Sequence, residues 1–257
     1  DGQIDERVRK NRDEIASALG ISLRGEVAAD GRLLLAALET WGTAALPRLI
    51  GDFALALWDT LNRRLILARD QLGRRTLYYH QGDGFVAFAT GYRALLALPG
   101  VPRAVDELGM ADFLILNVRH PVETIYRGVR RIPAATVAHF DAGGPRFERY
   151  WSPEPKERLR LPSDADYAEA AREHLERAVA CRLRAKDGIA STLSGGLDSS
   201  SVAVTAARLL APGKLITVTS VPPAGVALPR QRPSWYVDER PYICLLYTSP
   251  SPRDPSL

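Results

Sequence analysis

Cysteine is scarce. Cys181 and Cys244 are the two in 257 residues, too few for a disulfide framework, which fits a reducing cytoplasm. No apolar run is long enough to cross a bilayer and no signal peptide opens the chain, so a cytoplasmic location without a membrane partner is expected. Basic blocks are lacking too. Lys plus Arg exceed Asp plus Glu by 34 to 30, a formal +4, but the short arginine-rich pieces at 127–131 and 182–186 suit exposed faces rather than a nucleic-acid groove. His80, His120, His139 and His174 have no metal-ligand spacing, which argues against a zinc site. What remains is an ordinary globular composition, 46% hydrophobic and 25% charged, with enough chain for two domains.

Both ends read as cut. Asp1 is not preceded by an initiator methionine, and the chain enters a helix-like run at once, as though earlier strands had been removed. At the other end, Cys244-Leu-Leu-Tyr-Thr-Ser-Pro-Ser-Pro-Arg-Asp-Pro-Ser-Leu257 has Ser/Pro punctuation and neither helical nor strand period. It resembles translated adapter or vector sequence; a natural Pro-rich linker is the alternative.

Between those ends the pattern changes near Trp151. In residues 30–41, Leu33, Leu34, Ala37 and Leu38 fall at helical spacing, with Gly42 as a stop. Short apolar runs at 53–58, 65–68, 76–79 and 85–88, separated by turn-like segments, predict one meander of antiparallel strands. Helical patterns follow at 92–98 and 106–116, then strand-like pieces at 136–140 and 146–150. This order predicts layered α+β packing.

Residues 153–162 are polar and proline-punctuated, as a linker would be. Ser163-Asp-Ala-Asp166 then opens a helix as a capping box, with Tyr167, Ala171, Leu175 and Ala178 on one stripe. Strand 188–193, a glycine loop, helix 200–210 and strand 215–220 make one strand-helix-strand unit, hence a parallel sheet with ligands at the carboxyl ends of its strands. In the loop, Gly195 and Gly196 let backbone N–H groups approach an anion and adopt turns that other residues resist. The helix N-terminus adds its own N–H groups, and Ser194, Ser199 and Ser200 add hydroxyls. A helix dipole contributes only roughly 0.3 to 2 kcal/mol. Several amides and hydroxyls, with Mg²⁺ oriented by Asp198, must therefore act together to hold a pyrophosphate-sized charge. No lysine lies between Leu193 and Ala206, which excludes a Walker loop, and the dinucleotide Gly-x-Gly-x-x-Gly is absent here. A ligand-free Gly/Ser connection is the competing reading.

Ser194-Gly-Gly-Leu-Asp-Ser-Ser200 matches the PP-loop of the ATP pyrophosphatases, and with its surroundings the chain resembles the glutamine-hydrolysing asparagine synthetase family. Gly51-Asp-Phe-Ala-Leu-Ala-Leu-Trp-Asp59, Ala68-Arg-Asp-Gln-Leu-Gly-Arg-Arg-Thr-Leu-Tyr-Tyr79 and Arg93-Ala-Leu-Leu96 look like its glutaminase core. Val105-Asp-Glu107, Gly128-Val-Arg-Arg-Ile-Pro133 and Arg149-Tyr-Trp151 look like the segments leading to its synthetase domain. The resemblance implies an incomplete α+β glutaminase-type sandwich at 1–152, the start of an α/β parallel-sheet PP-loop domain at 153–242, and a non-native tail at 243–257. It implies a two-site ATP-dependent ligase: ammonia released from glutamine displaces AMP from an aspartyl-adenylate to give asparagine, with ATP and Mg²⁺ required. Its partners would be small molecules, namely glutamine, aspartate and ATP, and a homodimer stays open.

By the same resemblance Leu193, Ser194, Gly195, Gly196, Leu197, Asp198, Ser199 and Ser200 bind ATP, with Ser220 against the adenosine and Asp198 as the metal residue. Gly2 and Gln3 occupy the place of the family's Asn-Gly-Glu glutamine-binding turn, and Asp30 that of an aspartate holding the substrate amine; a plain helix N-cap is the other reading of Asp30. The departures matter. The family's nucleophile is an amino-terminal cysteine using its own amine as base, and this chain begins with Asp1. No catalytic residue is therefore assigned: Cys181 reads as a small buried hydrophobe and Cys244 lies in the tail. Arg32 and Gly91 stand where acids are common, and Ala134-Ala135 replaces a common Pro-Gly. The chain as given is expected to hydrolyse no glutamine. Two other classes stay open: a related enzyme closing β-lactams or macrolactams through the same acyl-adenylate, and a non-catalytic binding domain.

Overall fold

The computed structural model describes residues 6–21, 30–116, 121–154, 158–183, 185, 188–222 and 239–243, the backbone alone for 6–10 and 30. The chain falls into two compact units, Lys10–Arg158 and Leu159–Leu257 with Asp1–Arg9. Among the described residues no helix is long and apolar enough to cross a membrane.

The first unit is an α+β sandwich. Helix α1 (Glu6–Ala18), helix α2 (Asp30–Trp41) and a 3₁₀ helix (Gly42–Arg48) precede strands β1 (Ala54–Asp59) and β2 (Arg64–Arg69). Strands β3 (Tyr78–Gly82) and β4 (Phe85–Ala89) follow, then helices α3 (Tyr92–Leu96) and α4 (Glu107–Leu114), β5 (Val129–Arg131), β6 (Thr136–Asp141) and β7 (Gly144–Arg149). The strands build two antiparallel sheets, ordered β1-β2-β6-β7 and β4-β3-β5.

Strand alternation explains the layers. Leu65 and Leu67 of β2, with Ala138 and Phe140 of β6, pack against Tyr79 of β3 and against Leu77 and Ile132, which flank β3 and β5. Ile66, Ala68 and Val137 point the opposite way, onto Ile15, Leu33, Ala37, Leu38 and Leu46. A strand covered on both faces loses the apolar-polar alternation, and β2 accordingly reads as an unbroken apolar run. The outer face of the three-stranded sheet is covered by Leu95 and Val101, which meet Val129 and Tyr78.

The single meander expected from the sequence is corrected here. β2 pairs with β6 while β3 pairs with β5, so the chain changes sheets between Arg69 and Tyr78. Asp70, 1% exposed, makes that crossing rigid: its carboxylate accepts from the amides of Leu72 (3.2 Å), Arg74 (2.8 Å) and Arg75 (2.9 Å). Its own amide donates to Phe53 O and its carbonyl accepts from Gly73 and Ala135. Buried Arg69 donates from Nε to Arg75 O (2.5 Å), from Nη1 to Ile132 O (2.8 Å) and from Nη2 to Gly73 O. Ala135 lies at φ 53°, the left-handed region where glycine is usual.

The second unit contains α5 (Asp164–Ala180), β8 (Ile189–Thr192), α6 (Leu197–Leu210) and β9 (Leu215–Val218). β8 and β9 run parallel with Ile189 opposite Leu215 and Thr192 opposite Val218, the right start for a parallel-sheet domain. The expected capping box is present: Ser163 Oγ accepts from Asp166 N while the Asp166 carboxylate accepts from Ser163 N at 3.0 Å. The expected stripe is not the buried one. Val179 is the buried residue of α5, with Leu175 half-buried, whereas Tyr167, Ala171 and Ala178 are exposed. The neighbour of α5 is α6 rather than the sheet, and one helix covers only a narrow stripe of another. Cys181 caps α5 and is half-buried rather than buried, its Sγ 3.0 Å from Ala178 O. The boundary drawn at residue 243 falls inside the packing, because Ile243 is buried against Leu193, Ala203 and Leu215. Residues 244–257, including Cys244, lie outside the described residues.

Candidate functional site

The carboxyl end of β8 turns directly into α6 through Leu193, Ser194, Gly195 and Gly196. Leu193, 4% exposed, anchors the turn: its amide donates to Val218 O (2.9 Å) and its carbonyl accepts from Thr219 Oγ1 (2.9 Å). The ends of the two parallel strands are thereby held side by side, and Ser220 lies exposed just beyond.

The helix starts earlier than the sequence suggests. Gly196 is its N-cap and Leu197 its first residue, so Asp198 sits in the first turn instead of before it. The sequence pattern places the start at about Ser199, two residues later, and Leu197 itself is 85% exposed. Starting there leaves the amides of Leu197, Asp198 and Ser199 without an acceptor among the described residues. Asp198 is exposed at the positive end of the helix dipole, and Arg208 occupies the last turn at the other end.

Three serine hydroxyls turn into the loop itself. Ser199 Oγ accepts from Ser194 N (3.0 Å) and lies 2.7 Å from Ser194 Oγ, 3.3 Å from Ser194 O and 3.3 Å from Gly196 O. Ser194 Oγ accepts from Gly196 N (3.2 Å), and Ser200 Oγ donates to Ser194 O (3.3 Å). Hydroxyls expected to reach outward instead brace the turn, because a short loop has more backbone groups than neighbours to satisfy them.

The glycines also act differently from expectation. Gly196 has φ −80°, and Gly195 is not among the positive-φ residues, so neither needs a turn geometry closed to other residues. At Gly195 the constraint is space: a Cβ would lie 2.9 Å from Tyr242 Cβ. At Gly196 an added Cβ meets, among the described residues, only Ser194 Oγ, at 3.4 Å. The sequence reading missed Tyr242 because it adjoins the discounted tail. Thr219 was missed as well, although its place at a strand end beside Ser220 was a usable signal.

Of the residues assigned to glutamine, Gly2 and Gln3 lie outside the described residues, and so does the side chain of Asp30, the first residue of α2. Arg32 is exposed on α2, and Gly91 is the N-cap of α3.

Residues 11–151 match the family model of a glutamine amidotransferase domain. The chain belongs to that family. Residues 170–234 match the model of asparagine synthase, so the amidotransferase domain is followed by a synthase segment that contains the β8 to α6 turn. A putative glutamine-hydrolysing asparagine synthetase from Mycobacterium bovis is 34% identical over 204 residues, 77% of this chain and 31% of that protein. The carboxyethyl-arginine beta-lactam-synthase of Streptomyces clavuligerus is 34% identical over 211 residues, 81% of this chain and 37% of that protein. Among solved structures, a glutamine phosphoribosylpyrophosphate amidotransferase from B. subtilis is 16% identical with a TM-score of 0.35, over 82% of this chain and 43% of that one. The chain spans about a third of the length of the two curated relatives.

Proposed function

We propose that this chain is part of an ATP-dependent, glutamine-dependent amide-forming ligase in which residues 193–200 hold the phosphates of ATP and aspartate is the acceptor. One observation carries the reading: at the carboxyl end of β8, the amides of Leu197, Asp198 and Ser199 have no acceptor among the described residues, beside an exposed Asp198 carboxylate. Such amides suit an anion with several oxygens. Mg²⁺ fits the same place. Asp198 would hold the ion, since Mg²⁺ prefers a carboxylate together with phosphate oxygens. Bound there it would supply charge neutralisation on the phosphate oxygens.

The protein's own part is to hold and orient. Leu193 and Thr219 fix the strand ends, the serine network fixes the turn, and Ser220 stands where the adenosine would lie. The acceptor carboxylate attacks the α-phosphorus and pyrophosphate leaves. Ammonia then attacks the acyl carbon and AMP leaves. Departing pyrophosphate gathers charge where the amides converge. Glutamine would supply that ammonia in the amidotransferase domain, held by Gly2, Gln3 and Asp30.

A second acceptor is favoured by the β-lactam synthase relative, which matches 81% of this chain: a carboxylate closed onto an amine of the same molecule. Calorimetric titration with Mg-ATP tests the site, Asp198→Ala being expected to weaken binding about tenfold or more. Absence of binding to the unaltered chain overturns the reading in favour of a non-catalytic domain. ATP–pyrophosphate exchange by a protein carrying this chain at its relatives' full length separates the acceptors. Exchange that requires aspartate supports asparagine formation, and exchange only with a substrate bearing its own amine supports ring closure.

A further inference from the structure

A helical turn at residues 239–243 lies against the β8 to α6 turn, held by donation from the amides of Tyr242 (3.1 Å) and Ile243 (3.2 Å) to Glu239 O. Ile243 inserts into the small core of Leu193 and Ala203, so this segment is fastened to the strand and the helix that flank the glycine turn. Tyr242 then meets the turn itself. A Cβ at Gly195 would stand 2.9 Å from Tyr242 Cβ, 3.3 Å from Cγ and 3.4 Å from Cδ2, distances at which one of the two must move. Backbone conformation does not demand glycine at this position, and Gly196 next to it has room for a side chain.

We infer that Tyr242 is a positioning residue for the nucleotide turn: it seats on the bare backbone of Gly195 and holds Ser194, Gly195 and Gly196 in the shape that leaves the first amides of α6 open. This rests on the proposed reading of residues 193–200 as the ATP-phosphate site. It assigns to Gly195 a reason that the phosphate-approach argument does not contain. The serine network braces the turn from within, through Ser194 and Ser199, while Tyr242 closes it from outside. Losing either side lets the turn relax around its remaining contacts.

A double-mutant cycle isolates this contact. Gly195→Ala, Tyr242→Gly and the double variant are compared with the unaltered chain by calorimetric titration with Mg-ATP. Hydrogen exchange of residues 193–199 is read in all of them without nucleotide. Gly195→Ala is expected to weaken Mg-ATP binding about tenfold or more alone, and about threefold or less when Tyr242 is already glycine, because the clash has been removed. Turn exchange should follow the same pattern. A Gly195→Ala loss of equal size in both backgrounds, in binding and in exchange, overturns the inference and leaves the nucleotide reading intact. Coupled exchange with no Mg-ATP binding by the unaltered chain overturns the nucleotide role and leaves only a structural clamp. Tyr242→Ala, which keeps a Cβ, is expected to relieve the clash less than Tyr242→Gly; equal relief would place the contact elsewhere on the ring.

Discussion

Gly73 combines two constraints that are separable by experiment. Its φ is 63°, and an added Cβ would stand 3.0 Å from Ala134 Cβ and 3.0 Å from the Arg69 guanidinium. That guanidinium cannot move aside, since carbonyls at Arg75, Ile132 and Gly73 hold it. Left-handed strain of about 1–2 kcal/mol and overpacking of about 1–3 kcal/mol predict that Gly73→Ala lowers unfolding free energy by about 2–5 kcal/mol in urea titration. Gly84→Ala, at φ 74° with nothing within 4 Å among the described residues, should show the strain alone. His139 gives a pH prediction. Burial, then Arg64 and Arg146, push its pKa below the ordinary 6.5, and its Nδ1 has no partner among the described residues. The folded chain thus binds this proton less tightly than the unfolded chain. The resulting stability is complete above pH 6.5 and is lost as pH falls from there through the depressed folded value. Urea midpoints measured between about pH 7.5 and 5 should fall less in His139→Gln than in the unaltered chain. Asp59 and Asp141, whose carboxylates are held below 3.8 by hydrogen bonds from Asn62 and Arg146 respectively, act in a lower window and leave that comparison undisturbed.

At the scale of the element, starts and stops were more legible than faces. Asp106 accepts from Gly109 N at 2.8 Å and opens α4, and the Ser163–Asp166 box opens α5, because such caps are local chemistry written within four residues. Ser163→Ala should cost about 1 kcal/mol of stability by thermal melting of the second unit, and Ser163→Thr should recover most of it. The start of α6 was misplaced because Gly196 caps it with backbone only and the first helical residue is an exposed leucine. The inward face of α5 was misplaced for a different reason: which residue is buried depends on what lies opposite. Val179 is buried there and Tyr167 is not.

Across the whole molecule, strands, turns, the βαβ order and the glycine turn were readable because each depends on side-chain period and on residues a few positions apart. Partnership between distant segments was not. One meander became two sheets because Asp70 and Arg69 bind carbonyls and amides from Phe53 to Ala135, contacts with no local signature. The same holds at the site. The sequence by itself determined that a strand enters a Gly-Gly turn and a helix, and hence that backbone amides could meet an anion. Tertiary structure alone decided that Tyr242, 47 positions from Gly195, occupies the space a side chain would need. Local patterning sets which backbone groups lack partners, but only folding of remote segments decides which neighbours come close enough to restrict them.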